Sequence, residues 1–342
     1  MEIKSVIGRL CDLNGPSGFE DSVRDAIAEL MEGLADEIKV DAMGNLLAEK
    51  RCGKSGAKKL LLDAHMDEIG LIVTGYEKGF LRFGMLGGVD PRMLPAREVV
   101  VMTQPPIRGV IDMMPVHVLS AAEQDAALPA DKLFIDVGLS EEQAQERVPL
   151  GTPVVFAVES MELGDKQICA KALDDRACVA IILKVMENLR GKQLDFDVCA
   201  MISTQEEVGC RGATTGAFGA APDWAIAIDV THGKTPDAAK SKTLVSGGGP
   251  AIGVGPNMNR AFTNAIIDTA KKMDMAYQVE VLPGRSGTNA WPIQISREGV
   301  ATALISLPLK YMHTPVETVY SSDAEDIAAL ITEFILNMKA GE

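Results

Sequence analysis

Chemistry in this 342-residue chain concentrates at five places. His65 and Asp67 lie in AHMDEIG, where the apolar run KKLLLDAHMD stops. Alternate side chains of an extended segment share a side, so a neutral imidazole at His65 suits a metal ion while Asp67 supports the ring or a bound water. On its own, His-x-Asp is more often a surface pair. Asp174 and Asp175 follow in KALDDRA. A helix start accounts for Asp175, but less well for Asp174, which follows Leu173 in an apolar approach. Glu206 and Glu207, in STQEEVGCRGA, come after a strand. Adjacent carboxylates diverge, which suits one acid on a metal and its neighbour over the reacting water; a solvated acidic turn is the plain alternative. Asp229 ends the apolar strand of AIAIDVTHG, where a charge rarely lacks a partner. His313 follows another such strand in LPLKYMHTPVE.

Taken jointly, these are strand ends of one α/β domain, and open α/β sheets bind ligands beyond the carboxyl ends of their strands. Two imidazoles with several carboxylates and no thiol suit a pair of borderline or hard divalent ions. Such ions sit ~3.5–4 Å apart, share a bridging carboxylate and clamp a water nucleophile. Of the other two histidines, His117 reads as structural; His232, three residues past Asp229, could line the cleft but reads first as a loop surface position. GGGPAIGVG (247–255) lacks the Lys-Ser/Thr of a phosphate loop and reads as a loop or sheet edge near the site. The six cysteines (11, 52, 169, 178, 199, 210) contain no CxxC and read as buried reduced thiols.

The elements that must position these residues alternate between helix and strand, which indicates an α/β fold. Ile3, Val6, Ile7, Leu10 and Leu13 form one helical stripe, and residues 21–34 form another. IKVD and NLLAE flank the Ala42-Met43-Gly44 turn as a hairpin. From about 71 to 165 short β-rich runs (EVVVMT, IRGVID, LFIDVG, PVVFAV) alternate with Pro and Gly, plus one short helix at SEEQAQERV. Beyond 166 the longer rhythm returns: helix DRACVAIILKVMENL, strands DFDVCAMIST and DWAIAIDV, helix NRAFTNAIIDTAKKM, strand ATALISLPL, and a last helix from Asp323 to Met338 with a capping box of Ser322 and Glu325. The expected plan is a three-layer α/β/α domain, residues 1–70 and 166–342, interrupted by a β domain at 71–165.

Composition narrows the function class. Lys and Arg number 33 against 48 Asp and Glu, a net charge of −15, with no basic cluster, which argues against nucleic acid. No apolar stretch reaches the ~18–20 residues of a membrane helix. The N-terminus carries charges where a signal sequence is apolar, so the expectation is a cytoplasmic, unprocessed protein.

In these motifs the chain resembles the glutamyl/deblocking aminopeptidases, dinuclear metallopeptidases that build tetrahedral dodecamers. NGPSGFE, DAMGN, AHMDEIG, AKALDDR, TQEEVGCRGA, IDVTH, GRSGTNA and KYMHTPVE occur in that family's order and spacing, and LFIDVGLSEEQA extends the match into the inserted module. The resemblance implies that His65, Asp174 and Asp229 hold one metal and that Glu207 and His313 hold the other, with Asp174 bridging. It implies Glu206 as general base, Asp67 as support for His65 and its metal, and a cis peptide directly after Asp174. The metals it implies are two divalent ions per subunit, zinc or cobalt, with manganese also fitting. The inserted domain would be a small PDZ-like β-barrel used for oligomerisation, first into dimers and then into a hollow homododecamer that admits short peptides. One departure stands out: Asn289, in SGTNA, replaces the family's usual Asp, which drops a charge near the expected substrate channel. Lys310 and Arg285 would favour an acidic substrate side chain unless they are simply solvated.

Two rival functions share parts of this pattern. Paired acids also cleave glycosidic bonds, but aromatics are only 4% with 2 Trp, poor for sugar stacking, and that chemistry has no need of His65 or His313. A related co-catalytic deacylase or carboxypeptidase would share the metals and read a carboxylate. A binding protein with a decayed site would not be expected to keep all five ligands and Glu206.

Overall fold

Strands that are apolar on both faces need cover on both faces. The computed structural model describes residues 1–120, 129–236, 238, 239 and 242–341. Helices α1 (Ile3–Cys11), α2 (Asp21–Met31), α3 (Glu141–Arg147), α4 (Leu173–Asn188), α5 (Arg211–Ala220), α6 (Arg260–Lys272), α7 (Ala290–Gln294) and α8 (Ser321–Asn337) follow in chain order. The main sheet uses β1 (Glu37–Val40), β2 (Leu46–Lys50) and β3 (Lys59–His65) from before the insertion. Between them and the rest of the sheet come β4 (Gly70–Glu77), β5 (Phe80–Leu86), β6 (Glu98–Val101), β7 (Ile107–Ile111), β8 (Ile135–Asp136) and β9 (Pro153–Phe156). The sheet resumes with β10 (Met161–Leu163), β11 (Gln167–Ala170), β12 (Asp197–Ser203), β13 (Trp224–His232), β14 (Ala251–Val254), β15 (Gln278–Val281), β16 (Ala301–Lys310) and β17 (Glu317–Tyr320).

The sheet order is β1-β2-β12-β3-β13-β16-β17-β11-β10, with β14 added beside β16 and β15 beside β14. Its centre, β12-β3-β13-β16, is parallel. Two antiparallel pairings separate β16 from β11, so β11 also points its carboxyl end to the same edge. Leu60, Leu62 and Ala64 of β3 pack with α1, α2, α4, α6 and α8 on one face, while Leu61 packs with Ala213 and Ala217 of α5 and Ile293 of α7 on the other. This is the three-layer α/β/α arrangement. Helix α4 is buried nearly all round from Leu173 to Met186, Lys184 excepted, as its apolar run from Ala177 to Leu183 requires.

The six strands β4 to β9 close into an antiparallel barrel, in the order β4-β5-β8-β7-β6-β9. Its interior, with Leu71, Val73, Leu81, Val99, Ile135 and Val154, is a core separate from that of the sheet. Helix α3 carries a capping box of Ser140 and Gln143. The capping box expected at the last helix is absent: α8 starts at Ser321 behind Tyr320, with no side-chain cap bond. The stripe at 21–34 also ends earlier, at Met31, and Asp229 lies inside β13 rather than at its end. Among the described residues no helix is long and apolar enough to cross a membrane.

A buried ionic knot ties the layers together at the functional edge. Arg176, fully buried on α4, donates from Nε to Met66 O (2.9 Å), from Nη1 to Leu10 O and Leu13 O (3.1 and 2.6 Å), and from Nη2 to Gly15 O and Glu68 Oε1 (3.2 and 3.0 Å). Lys171 Nζ donates to both oxygens of Glu68 (2.9 and 2.8 Å). Burial opposes the charge on Glu68, but the Lys171 and Arg176 cations outweigh it and hold the carboxyl below its ordinary value. Removing one partner of a buried ion pair strands the rest, at a cost of about 3–5 kcal/mol. Glu68→Gln is therefore expected to lower unfolding free energy by about that amount, read from urea denaturation; a loss near zero would show that the knot carries no weight.

Candidate metal centre

The parallel strands deliver their side chains to one edge. His65 is the last residue of β3, directly beside Ser203 of β12 in register. Its Nδ1 lies 3.2 Å from Asp67 O and 3.3 Å from Asp67 Oδ1, and its Nε2 lies 3.2 Å from Asp174 Oδ1. An imidazole whose Nδ1–H is taken by oxygen presents Nε2 to a metal. His313, in the turn after β16, mirrors this: Nδ1 faces Gly88 O at 3.1 Å, while Nε2 lies 3.3 Å from Glu207 Oε2 and 3.4 Å from Asp174 Oδ2. Asp174 therefore offers one oxygen to each imidazole.

The peptide between Asp174 and Asp175 is cis, as the family resemblance implied. Both residues have non-helical dihedrals, so the regular part of α4 begins only after them. This corrects the helix-start reading of Asp175. Its Oδ2 instead accepts from His65 N (3.1 Å), and its carboxylate gathers with His65 and Asp229 so that one ligand atom from each lies within 4.8 Å of the others. His65, Asp174 and Glu207 gather in the same way.

Asp67 organises the acidic turn. Its Oδ1 accepts from Glu206 N (3.0 Å), and its Oδ2 accepts from Glu207 N (3.2 Å) and Ser17 Oγ (2.6 Å). One buried carboxylate thus sets both glutamates and an imidazole. Glu206 Oε2 stands 4.0 Å from His65 Nε2, and its Oε1 accepts from Cys210 Sγ at 3.1 Å. Glu317 is the deeper clamp, with Oε2 accepting from Asp174 N (3.0 Å) and Oε1 from His313 N (2.8 Å). Its two oxygens thus each take one backbone N–H, tying the Asp174 and His313 segments together.

Electrostatics at this edge are one-sided. Burial raises the carboxyls of Glu206, Asp175, Asp229 and Glu317, and lifts Glu207 to about 7. Burial would lower His313, but Asp174 and Glu207 raise it to about 11; Asp174 and Asp67 likewise raise His65. Asp174, which burial alone would raise, is held below its ordinary value by His313 and His65. Without added cations Glu206, Glu207, Asp175, Asp229 and Glu317 cling to protons, while the imidazoles stay protonated beside Asp174 and Asp67. Divalent ions supply the positive charge this donor set lacks, and its His and carboxylate composition is the one such ions take.

Several features escaped the sequence reading. Ser17 and Glu317 lay inside recognised motifs, NGPSGFE and HTPVE, without an assigned role. Gly88 carried no signal; a Cβ there would come within 2.6 Å of His313 Nδ1, so only glycine lets the backbone reach the ring. Cys210 is not a buried bystander like the other five cysteines, because it is partly exposed and touches Glu206. His232 ends β13 and lines the cleft instead of lying in a surface loop, whereas His117 is exposed in a short 3-10 turn. Asn289 is not at a channel. It is buried at the start of α7, its Nδ2 donating to Ser203 Oγ (2.9 Å) beside Asp63, a carboxyl that burial pushes up to about 7. Lys310 turns to Gln167 Oε1 (2.7 Å), while Arg285 lines the cleft. GGGPAIGVG forms a loop and then β14, and Gly247 and Gly249 donate to Asp323.

The site opens into a cleft of about 960 Å³, and the chain that carries it matches known proteins over nearly its whole length. Residues 44–330 match the M42 glutamyl aminopeptidase model. The chain belongs to that family. A lysyl aminopeptidase of Pyrococcus furiosus is 34% identical over 337 residues, covering 97% of this chain and 96% of its own. An aminopeptidase from the archaeon Desulfurococcus kamchatkensis superposes with a TM-score of 0.92 at 37% identity, covering 99% of this chain and 96% of that one. The TET1 peptidase of Pyrococcus horikoshii, which can assemble into a tetrahedron or a large octahedral shell, superposes with a TM-score of 0.87 at 31% identity, over 98% and 100% of the two chains. Aminopeptidase activity is the function class that this membership carries.

Two outcomes follow for the metal centre. Below about 7 Glu207 holds a proton, and below about 11 His313 does, so a cation must displace them. Affinity of chelator-stripped protein for Mn²⁺ should rise with pH through neutrality and loading should release protons, read as a calorimetric enthalpy that varies with the buffer's ionisation enthalpy. Gly88→Ala should displace the His313 ring and weaken metal binding about 10–100-fold while the circular dichroism spectrum stays unchanged; undiminished affinity would show that the ring needs no such anchor.

Proposed function

We propose that the protein removes N-terminal residues from short peptides, using two divalent ions and Glu206 as general base. The observation that carries this is the Asp174 carboxylate, which gives one oxygen to the side of His65 and the other to the side of His313. His65, Asp174 and Asp229 would hold one ion, and Asp174, Glu207 and His313 the other, with Asp175 close enough to His65 and Asp229 to reinforce the first. When bound, such ions make a shared water acidic near neutral pH and draw electron density from a carbonyl oxygen. Zinc, cobalt and manganese all suit these donors.

Glu206 does the proton work. Its carboxylate stands at the mouth of the ligand set, raised by burial and therefore a better base than an exposed glutamate. It accepts the proton of the attacking water and passes it to the leaving amine. Asp67 holds the Glu206 and Glu207 backbone so that this carboxylate stays over the reacting atoms. The acidic inner end of the cleft also attracts the free amine of a peptide, which an internal peptide bond does not offer. We assign the inserted barrel to subunit assembly, with dimers building a dodecameric shell like those of the TET relatives.

Chelation should abolish hydrolysis of leucine, glutamate and lysine p-nitroanilides, and refilling with zinc, cobalt or manganese should restore it. Glu206→Gln should keep its metal while kcat falls by about 10²–10⁴-fold, with metal content read by atomic emission. An active Glu206→Gln enzyme would remove the base from the mechanism. Faster cleavage of N-acyl amino acids would favour the deacylase, and sugar hydrolysis untouched by chelator would favour the glycosidase.

A further inference from the structure

The cleft continues well past the acids. Cys210, the residue that precedes α5, and Thr214 and Phe218 on the helix line it at four-residue spacing, so a single stripe makes one wall. The stripe's inner end is Cys210, whose thiol touches Glu206. Its outer end is Phe218, exposed, with the Arg297 guanidinium 5.1 Å over its ring and Nη1 donating to Phe218 O at 3.0 Å. Eight helical residues separate the two ends, about 12 Å along the axis. A second stretch of the lining repeats the device: the Arg285 guanidinium lies 4.7 Å over the ring of Trp291.

Charge is segregated along this cleft. Besides the proposed metal ligands and Glu206, the acid lining it is half-buried Glu280, whose carboxylate accepts from Thr231 Oγ1 (2.5 Å) and Ser306 Oγ (3.1 Å). Ser306 pairs with Asp229 across the sheet, and Thr231 is two residues beyond it on the same face. The arginines stand at the exposed rim. Among the described residues neither has a carboxylate within 4.0 Å, although the chain carries a net charge of −15. A guanidinium stacked on an aromatic face keeps in-plane N–H groups for a planar carboxylate, and Arg297, with Nη1 on Phe218 O, retains those of Nε and Nη2.

We propose that Arg285 and Arg297 form a subsite for the C-terminal carboxylate of a tri- or tetrapeptide whose amino end lies among the acids. The proposal rests on the aminopeptidase reading above. An extended peptide covers about 3.3–3.6 Å per residue, so three or four residues span the distance from Glu206 to the Phe218–Arg297 pair. The cleft then matches a zwitterionic peptide in one direction only. Amine-first entry puts opposite charges together at both ends, whereas the reversed peptide meets like charge at both. A carboxypeptidase would need its cation one residue from the scissile bond, at the inner end, where the acids are.

The test compares kcat/KM for Leu-Gly-Gly and its C-terminal amide, in wild type and in an R285Q/R297Q double variant, all metal-loaded. Wild type should prefer the free acid by about tenfold, chiefly through KM, and the preference should fall to near one in the double variant. Across a Leu-(Gly)n series, wild type should peak at three or four residues. Equal rates on acid and amide in wild type, or a preference undiminished in the double variant, would overturn the subsite while aminopeptidase activity stands. Wild type that cleaves neither peptide would overturn both readings. The wild-type comparison needs no substitution, so a misfolded variant cannot mask the outcome.

Discussion

Too many carboxylates in too little water is the condition around which this molecule is organised. Asp67, Asp174, Asp175, Asp229 and Glu317 are buried at one sheet edge, with Glu206 and Glu207 against them and two imidazoles among them. Low local polarity makes every unbalanced charge costly. The protein answers with geometry: each acid is given a backbone N–H, a hydroxyl, an imidazole or, for Glu206, the Cys210 thiol on at least one oxygen. What these partners leave over is a demand for multivalent positive charge, and the chemistry follows from the way that demand is met.

Holding such a cluster requires a rigid frame, and the frame is also ionic. Arg176 sits one residue after Asp175 and bonds two separate stretches of chain, residues 10–15 and 66–68, so the segment that carries the acids is fixed from behind. Lys171 and Glu68 complete that support. The same two motifs, KALDDRA and AHMDEIG, supply both the reactive side chains and the residues that hold them. Local sequence therefore encodes function and its support together.

Much of this could be read from residue order. Periodicity marked α4 and the central strands, because their burial demands continuous apolar runs, and the Pro and Gly punctuation of the insertion marked short strands. His65, Asp174, Glu206, Glu207, Asp229 and His313 stood out because charges at the ends of apolar strands need a reason. What stayed hidden depends on contacts between distant segments. Nothing local says that Asp175 turns towards His65 instead of capping a helix, that Glu317 reaches back to Asp174, or that Asn289 lies under the sheet. The failed capping box at Ser322 has the same origin, since Tyr320 and the preceding strand β17 set where α8 begins.

The barrel has its own hydrophobic interior and contributes no reactive side chain, yet it is not mechanically silent. The carbonyl of Gly88, on the loop leaving β5, is what fixes the proton of the His313 ring. Strain applied to the barrel is thereby transmitted to an imidazole in the sheet domain through a backbone oxygen. Whatever braces that module from outside stiffens the reactive edge, and whatever loosens it detunes the edge without touching an acid.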